Sequence, residues 1–75
     1  MREELLRSKI TANKMNVDDF LDKLPIYGVT ISHSAFYRKK NGESDFTRKE
    51  IIAISQVLNL SRKEMITIFF NQKVS

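Results

Sequence analysis

The sequence predicts an all-α domain of five helices, and three observations lead to that fold class. Apolar residues recur at the spacing of a buried helix face. No stretch alternates apolar and polar residues for long, which argues against β-strands. Helix caps and helix breakers divide the chain into five segments. Because the 75 residues contain no internal repeat and no linker, residues 1–75 are predicted to form a single domain.

The first two predicted helices have clear apolar positions and ends. One runs over about residues 2–14, with Leu6 and Ile10 at helical spacing and mostly charged residues elsewhere. The next begins after Asn16, a preferred N-cap residue, and has aspartates in its first turn, where the helix dipole favours negative charge. Pro25 ends this helix because its ring is incompatible with a helix interior. The apolar stripe of the second helix consists of Phe20, Leu21 and Leu24.

A connection over residues 25–30, which contains a glycine, leads to the third predicted helix. Ser32 is suited to cap this helix, and Asn41-Gly42 is a strong stop and turn signal. Only Ala35 and Phe36 between these ends are suited to burial. The other side chains are short polar, aromatic or cationic, namely His33, Ser34, Tyr37, Arg38, Lys39 and Lys40.

Two capping boxes predict the last two helices. In Thr47–Glu50 and again in Ser61–Glu64, a hydroxyl residue stands three positions before a glutamate and is followed by an apolar run. The hydroxyl accepts from the backbone N–H of the glutamate, whose carboxylate accepts from the N–H of the cap. This is the most specific local signal in the chain. It predicts helices over about 48–58 and 62–71, with a hinge at Asn59-Leu60.

Composition limits the function classes. Cysteine is absent, His33 is the one histidine, and the two glycines stand apart, so no metal site or phosphate-binding glycine loop is expected. Asp18, Asp19 and Asp22 are interpreted as solvated residues on an outer helix face. We therefore expect no enzyme activity and no cofactor. No apolar run approaches the ~18 residues of a membrane span, and the charged start is unlike a signal peptide, so a soluble cytoplasmic protein is expected.

The third predicted helix carries the functional signal. Its basic character and the net charge of +4 favour polyanionic partners. A helix that buries one narrow strip is suited to the DNA major groove, which admits one α-helix. Ser34 would let the backbone approach base edges, and Arg38, one turn later, would reach the two acceptors of a guanine. Lys39, Lys40 and Asn41 would contact phosphates. The alternative is an exposed basic helix that only keeps the protein soluble.

Three stretches, 14–20, 31–42 and 46–51, resemble the phage repressor/Cro-like helix-turn-helix family (XRE-type), and especially short regulators from Gram-positive bacteria and their phages. The resemblance covers residues 6–70. It implies a compact five-helix, lambda-repressor-like domain in which helices two and three form the helix-turn-helix. In this family the third helix lies in the major groove, and dimers bind half-sites about one DNA turn apart. The resemblance thus implies a phage- or prophage-encoded, sequence-specific transcription regulator that occupies a double-stranded DNA operator.

Carried over by position, the resemblance implies roles for single residues. Base edges would be read by His33, Ser34, Tyr37 and Arg38, with a phosphate contact as the alternative for Tyr37. The resemblance also implies phosphate contacts for Asn16 and Asn41, and Ser32 and Lys40 are further candidates for phosphate binding.

The chain departs from the family pattern at four places. Residues 25–29 are an insertion of about five residues that should give an extended loop between helices two and three, and Val17 replaces a common glutamine. Leu21 stands where a small alanine is usual, and Lys39 where a core leucine is usual. We expect the insertion to move the two helices apart. These departures, with Ile26 and Tyr27 in the inserted loop, favour a second hypothesis: a modulator that binds a partner repressor protein.

The last helix presents more apolar side chains than one core face can hold. Ile66, Phe69 and Phe70 share a face at helical spacing, and Ile68 lies off it. The set that the core does not take would form a patch for self-association, and a homodimer would double the DNA contacts. The alternative is that this helix simply closes the core.

Overall fold

The computed structural model describes residues 2–70, which form five α-helices, one short 3-10 helix and no strand. The radius of gyration is 11.5 Å, close to the ~11 Å of a compact domain of this length. The all-α, five-helix fold is therefore confirmed. None of these helices is long and apolar enough to cross a membrane. The helices are α1 (Glu3–Ala12), α2 (Val17–Lys23), α3 (His33–Lys40), α4 (Arg48–Val57) and α5 (Arg62–Phe69).

The predicted caps set four of the five helix starts. The Asn16 side chain accepts from the backbone N–H of Asp19 at 2.8 Å, and Ser32 Oγ caps α3 by accepting from the N–H of Ala35. Both hydroxyl capping boxes form, with Oγ distances of 3.1 Å at Thr47 and at Ser61. Local hydrogen bonding thus fixes where these helices begin. The predicted end of the last helix at 71 lies outside the described residues.

The connection between α2 and α3 is long but ordered. Leu24–Tyr27 forms a 3-10 helix, and its Leu24 is fully buried. Gly28 ends this turn with a φ of +86°, a left-handed conformation that glycine adopts at no steric cost, and its N–H donates to the Pro25 carbonyl at 3.0 Å. Val29 and Ile31 then point into the core. The prediction of an extended loop is therefore wrong for residues 24–27, which form a packed turn from which Ile26 and Tyr27 remain exposed.

Aromatic rings connect the helices through the core. Phe20 of α2 lies 5.7 Å from Phe36 of α3, measured between ring centroids. Phe46, before α4, lies 6.2 Å from Phe36 and 5.6 Å from Phe69 of α5. These tilted and edge-to-face contacts are the favoured ring geometries. The side chains that carry the core are fully buried and come from α1, α2, α3, α4, α5 and the 3-10 helix: Leu6, Phe20, Phe36, Ile54, Ile68 and Leu24.

Candidate nucleic-acid interface

One face of α3 is anchored in the core and the opposite face is open. Phe36 has no exposed surface and Ala35 is half-buried, as the sequence predicted. Ser34, Tyr37 and Arg38 are exposed, as is Asn41 just beyond the helix. Their spacing of three, four and seven residues places them along one side of the helix. The structure therefore brings three of the four predicted base-reading residues and one predicted phosphate ligand to one continuous surface.

His33, the fourth predicted base-reading residue, is joined to α2. Its Nε2 contacts the Oδ1 of Asp18, and both side chains remain exposed. Asp18 and His33 lie in the first turns of their helices, so the N-terminal ends of α2 and α3 are neighbours. From the sequence, Asp18 was predicted only to be a solvated acid in the first turn of its helix, where the helix dipole favours negative charge. Nothing in its local sequence indicates a partner 15 residues away.

Asn16 and Ser32 use their oxygens as helix caps. Asn16 Oδ1 accepts from the N–H of Asp19, which leaves the amide nitrogen without a partner among the described residues. Ser32 Oγ accepts from the N–H of Ala35 at 3.1 Å, which leaves its hydroxyl proton to donate. Both side chains are exposed. Each therefore retains a donor group, the NH2 of Asn16 and the hydroxyl of Ser32, and a phosphate contact requires such a group.

The two lysines at the end of α3 turn toward the rest of the fold. Lys40 is only 14% exposed in its side chain, and its Nζ lies 3.4 Å from the Glu3 carboxylate of α1 and 4.6 Å from the centre of the Tyr37 ring. Lys39 is 17% exposed and its Nζ lies 2.8 Å from Oε1 of Glu50. The ammonium group predicted to bind phosphate at position 40 is thus already held by an anion and an aromatic ring. Arg38 is the exposed cation of the last turn that has no anion within ion-pair distance among residues 2–70.

The Lys39 contact joins α3 to the capping box of α4. Glu50 Oε1 accepts from both Lys39 Nζ and the backbone N–H of Thr47. Burial raises the pKa of Glu50, but the hydrogen bonds from Lys39 and from the Thr47 backbone outweigh burial and hold the pKa below its ordinary value. This carboxylate therefore stays charged at neutral pH and links the end of α3 to the start of α4.

The predicted self-association face is divided by the fold. Ile68 is buried at 2% exposure, and Phe69 is half-buried with its ring edge-to-face against Phe46. Ile66 and Phe70 stay nearly half exposed. Ile52 of α4, which the sequence interpretation did not single out, is exposed to the same degree. The core has therefore taken Ile68 and most of Phe69, and the remaining apolar surface includes α4.

The geometry supplies no cluster of metal ligands, since no three His, Asp or Glu side chains of residues 2–70 come together. Compared with family models, with curated proteins and with solved structures, the chain gives no match. The family therefore stays a prediction from the residue pattern.

Proposed function

We propose that the protein is a sequence-specific, double-stranded-DNA-binding transcription regulator of repressor/Cro type, with α2 and α3 as its helix-turn-helix. The observation that carries this proposal is the open face of α3. Ser34, Tyr37, Arg38 and Asn41 line that face, and Phe36 anchors its opposite side in the core. A short helix held in this way has the dimensions and the donors that the major groove accepts.

Each exposed residue has a role in this proposal. Arg38 reads a guanine through its two acceptors, a contact worth roughly 1–3 kcal/mol of discrimination. Ser34, Tyr37 and His33 contact neighbouring base edges. Phosphate contacts come from the free donors of Ser32 and of the Asn16 and Asn41 side-chain amides. Lys40 contributes less than the sequence suggested, because a phosphate would have to displace Glu3 from it.

Selection of bound duplexes from a random pool, followed by gel shifts at several salt concentrations, tests this function. We expect enrichment of a defined site and steeply weaker binding as salt rises, because phosphate contacts release counterions. Arg38→Ala should reduce the preference for that site over random DNA by about ten- to a hundredfold. Arg62→Ala removes the same charge from α5 and is the matched control. Equal weakening of specific and random binding by Arg38→Ala would remove the base-reading role of Arg38.

A second candidate is a modulator that binds a repressor or another protein. Ile26 favours it, because this side chain is 74% exposed at the tip of the 3-10 helix, beside the exposed Tyr27 ring. An apolar pair on a packed turn is a suitable protein contact. Under this candidate no duplex is enriched even at low salt, and Ile26→Ser abolishes binding to a purified repressor while Arg38→Ala does not.

A further inference from the structure

An apolar groove lies between α4 and α5. The lining residues are Arg48, Ile51 and Ile52 of α4, Met65 of α5, Phe70 directly after α5, and Phe46. Its volume is about 470 Å³, within the range of roughly 300–1,000 Å³ in which specific pockets fall. Ile52 and Phe70 are 46% and 48% exposed, so apolar surface on both walls is in contact with water.

Three basic residues lie on or beside the groove. Arg48 lines it, Lys49 lies one turn before Ile52, and Arg62 lies one turn before Met65. These three cations are exposed and have no anion within ion-pair distance among the described residues.

The acidic residues of α4 and α5 form ion pairs with other helices and do not line the groove. Glu50 pairs with Lys39 on α3, and Glu64 pairs with Lys9 on α1. A loop acid, Asp45, lines an adjoining depression that shares Phe46 and two other lining residues with the groove and also contains Lys39. The groove therefore combines apolar walls with nearby cations that have no acidic partner, and no acid of the described residues lines the groove itself.

The cations also stand where they weaken the helices that carry them. Both α4 and α5 begin with two basic residues, Arg48-Lys49 and Arg62-Lys63. The positive end of the helix dipole repels them. An external anion bound beside these cations would interact favourably both with them and with the positive end of the helix dipole.

We propose that this groove binds an acidic amphipathic helix of another protein. Apolar side chains of the partner, at helical spacing, enter between Ile52 and Phe70, and its carboxylates face Arg48 and Arg62. A second copy of the chain would bring the same cations together without anions to balance them. DNA would satisfy the cations but would leave Ile52, Met65 and Phe70 in water. The inference does not depend on DNA binding by α3.

A fluorescence-anisotropy titration of the full chain tests the groove. The probe is a labelled peptide of about 16 residues, with leucines at i, i+3, i+4 and i+7 and glutamates on the other face. Two control peptides have the same length: one carries lysines in place of the glutamates, and the other is a scrambled sequence of the acidic probe. We expect the acidic amphipathic peptide to bind at least about tenfold more tightly than either control, with weaker binding at high salt.

Matched variants locate the binding. Ile52→Ser and Arg48→Glu should each weaken the acidic peptide by at least about fivefold. Arg7→Glu makes the same charge change at an exposed position outside the groove and should leave binding unchanged. Circular dichroism verifies that each variant is folded.

Three results would overturn the proposal. One is equal binding of the acidic and scrambled peptides. Another is a concentration-dependent dimer in sedimentation that Ile52→Ser abolishes, since a second copy would then occupy the groove. The third is loss of random-duplex binding in Arg48→Glu without loss of peptide binding, which would assign the cations beside the groove to DNA. Base selection by Arg38 is measured separately, so the two functions fail or hold independently.

Discussion

Lys39 of α3 and the N-cap of α4 share one carboxylate, because Glu50 Oε1 accepts from Lys39 Nζ at 2.8 Å and from the Thr47 N–H at 2.9 Å. The same carboxylate oxygen thus joins α3 to α4 and caps the start of α4. The aliphatic part of Lys39 is buried, and its ammonium lies 5.9 Å from the centre of the Phe46 ring. Lys39 therefore occupies a packing position and satisfies its charge inside the fold, which explains how a cation stands where the resembling family has a leucine.

We expect Glu50→Gln to lower the free energy of unfolding by about 1–2 kcal/mol. Glutamine still accepts from the Thr47 N–H but leaves the mostly buried Lys39 ammonium without its anion. Urea unfolding of Glu50→Gln, Lys39→Leu and the double variant gives the coupling energy. Additive losses in the double variant would show that Lys39 and Glu50 do not interact.

Stability should depend on pH through the same carboxylate. The folded pKa of Glu50 is lower than its ordinary value of 4.5, so its charge contributes stability that is fully present above the unfolded value. That contribution is lost as the pH falls from about 4.5 through the folded pKa. The stability difference between the wild type and Glu50→Gln should therefore shrink below pH 4.5, as measured by thermal unfolding. A difference independent of pH between 3 and 7 would contradict this assignment.

The stability that Glu64 contributes should also be lost as the pH falls, but this loss should be smaller than the loss for Glu50. Hydrogen bonds from Lys9 and from the Ser61 backbone lower its pKa. The Lys9 and Glu64 side chains are more than a third exposed, so water and salt screen their attraction. We expect Glu64→Gln to cost less than Glu50→Gln, and its cost to fall further in 0.5 M salt. A larger loss in Glu64→Gln would show that α1 and α5 depend on this pair more than the exposure implies.

Lys40→Ala should act on stability more than on DNA binding. The variant removes the contact to Glu3 and the packing on Tyr37, and we expect a loss of about 0.5–1 kcal/mol, or about 2–8 °C in the melting temperature. The affinity of the folded protein for random duplexes should change by less than about twofold. Lys14→Ala, an exposed lysine outside these contacts, should leave the melting temperature unchanged. A large, uniform loss of duplex binding by Lys40→Ala would restore its predicted phosphate role.

Asp18→Asn should strengthen binding to random DNA by about two- to fivefold at low salt, because a carboxylate beside His33 repels phosphates. Discrimination of the selected site should fall as well, since His33 loses the charge that orients its ring. Asp22→Asn makes the same change at the other end of α2 and is the control. If both variants strengthen binding equally, the effect is net charge alone and Asp18 has no particular place in the interface.

The sequence predicts the parts of this fold that local chemistry controls. Each capping side chain accepts from the backbone N–H three residues later, so a short stretch of sequence contains the whole interaction. The four caps are Asn16, Ser32, Thr47 and Ser61. Contacts distant in sequence were not predictable in this way. The pair of Lys40 and Glu3 depends on how α3 meets α1, which no periodicity reports.

The candidate site shows the same division. Exposure of Ser34, Tyr37 and Arg38 followed from the single buried strip of α3, and the structure confirms it. The different burial of Ile66 and Phe69 could not be predicted from the sequence, because both residues lie on one side of α5 in a helical projection. Their difference comes from Phe46, whose ring covers Phe69. A residue outside α5, Phe46, therefore accounts for the burial of Phe69, while Ile66 remains exposed to water.

The two lysine contacts at the end of α3 have an entropic consequence. Lys39 fixes that end to α4 and Lys40 fixes it to α1, so the last turn is ordered before any ligand arrives. A preorganised helix loses little conformational freedom on association, and less of the interaction energy is spent on ordering the protein. Under the proposed DNA-binding function, the duplex would then make the larger adjustment, and sequences that bend or twist easily would be favoured even at base pairs the protein never touches.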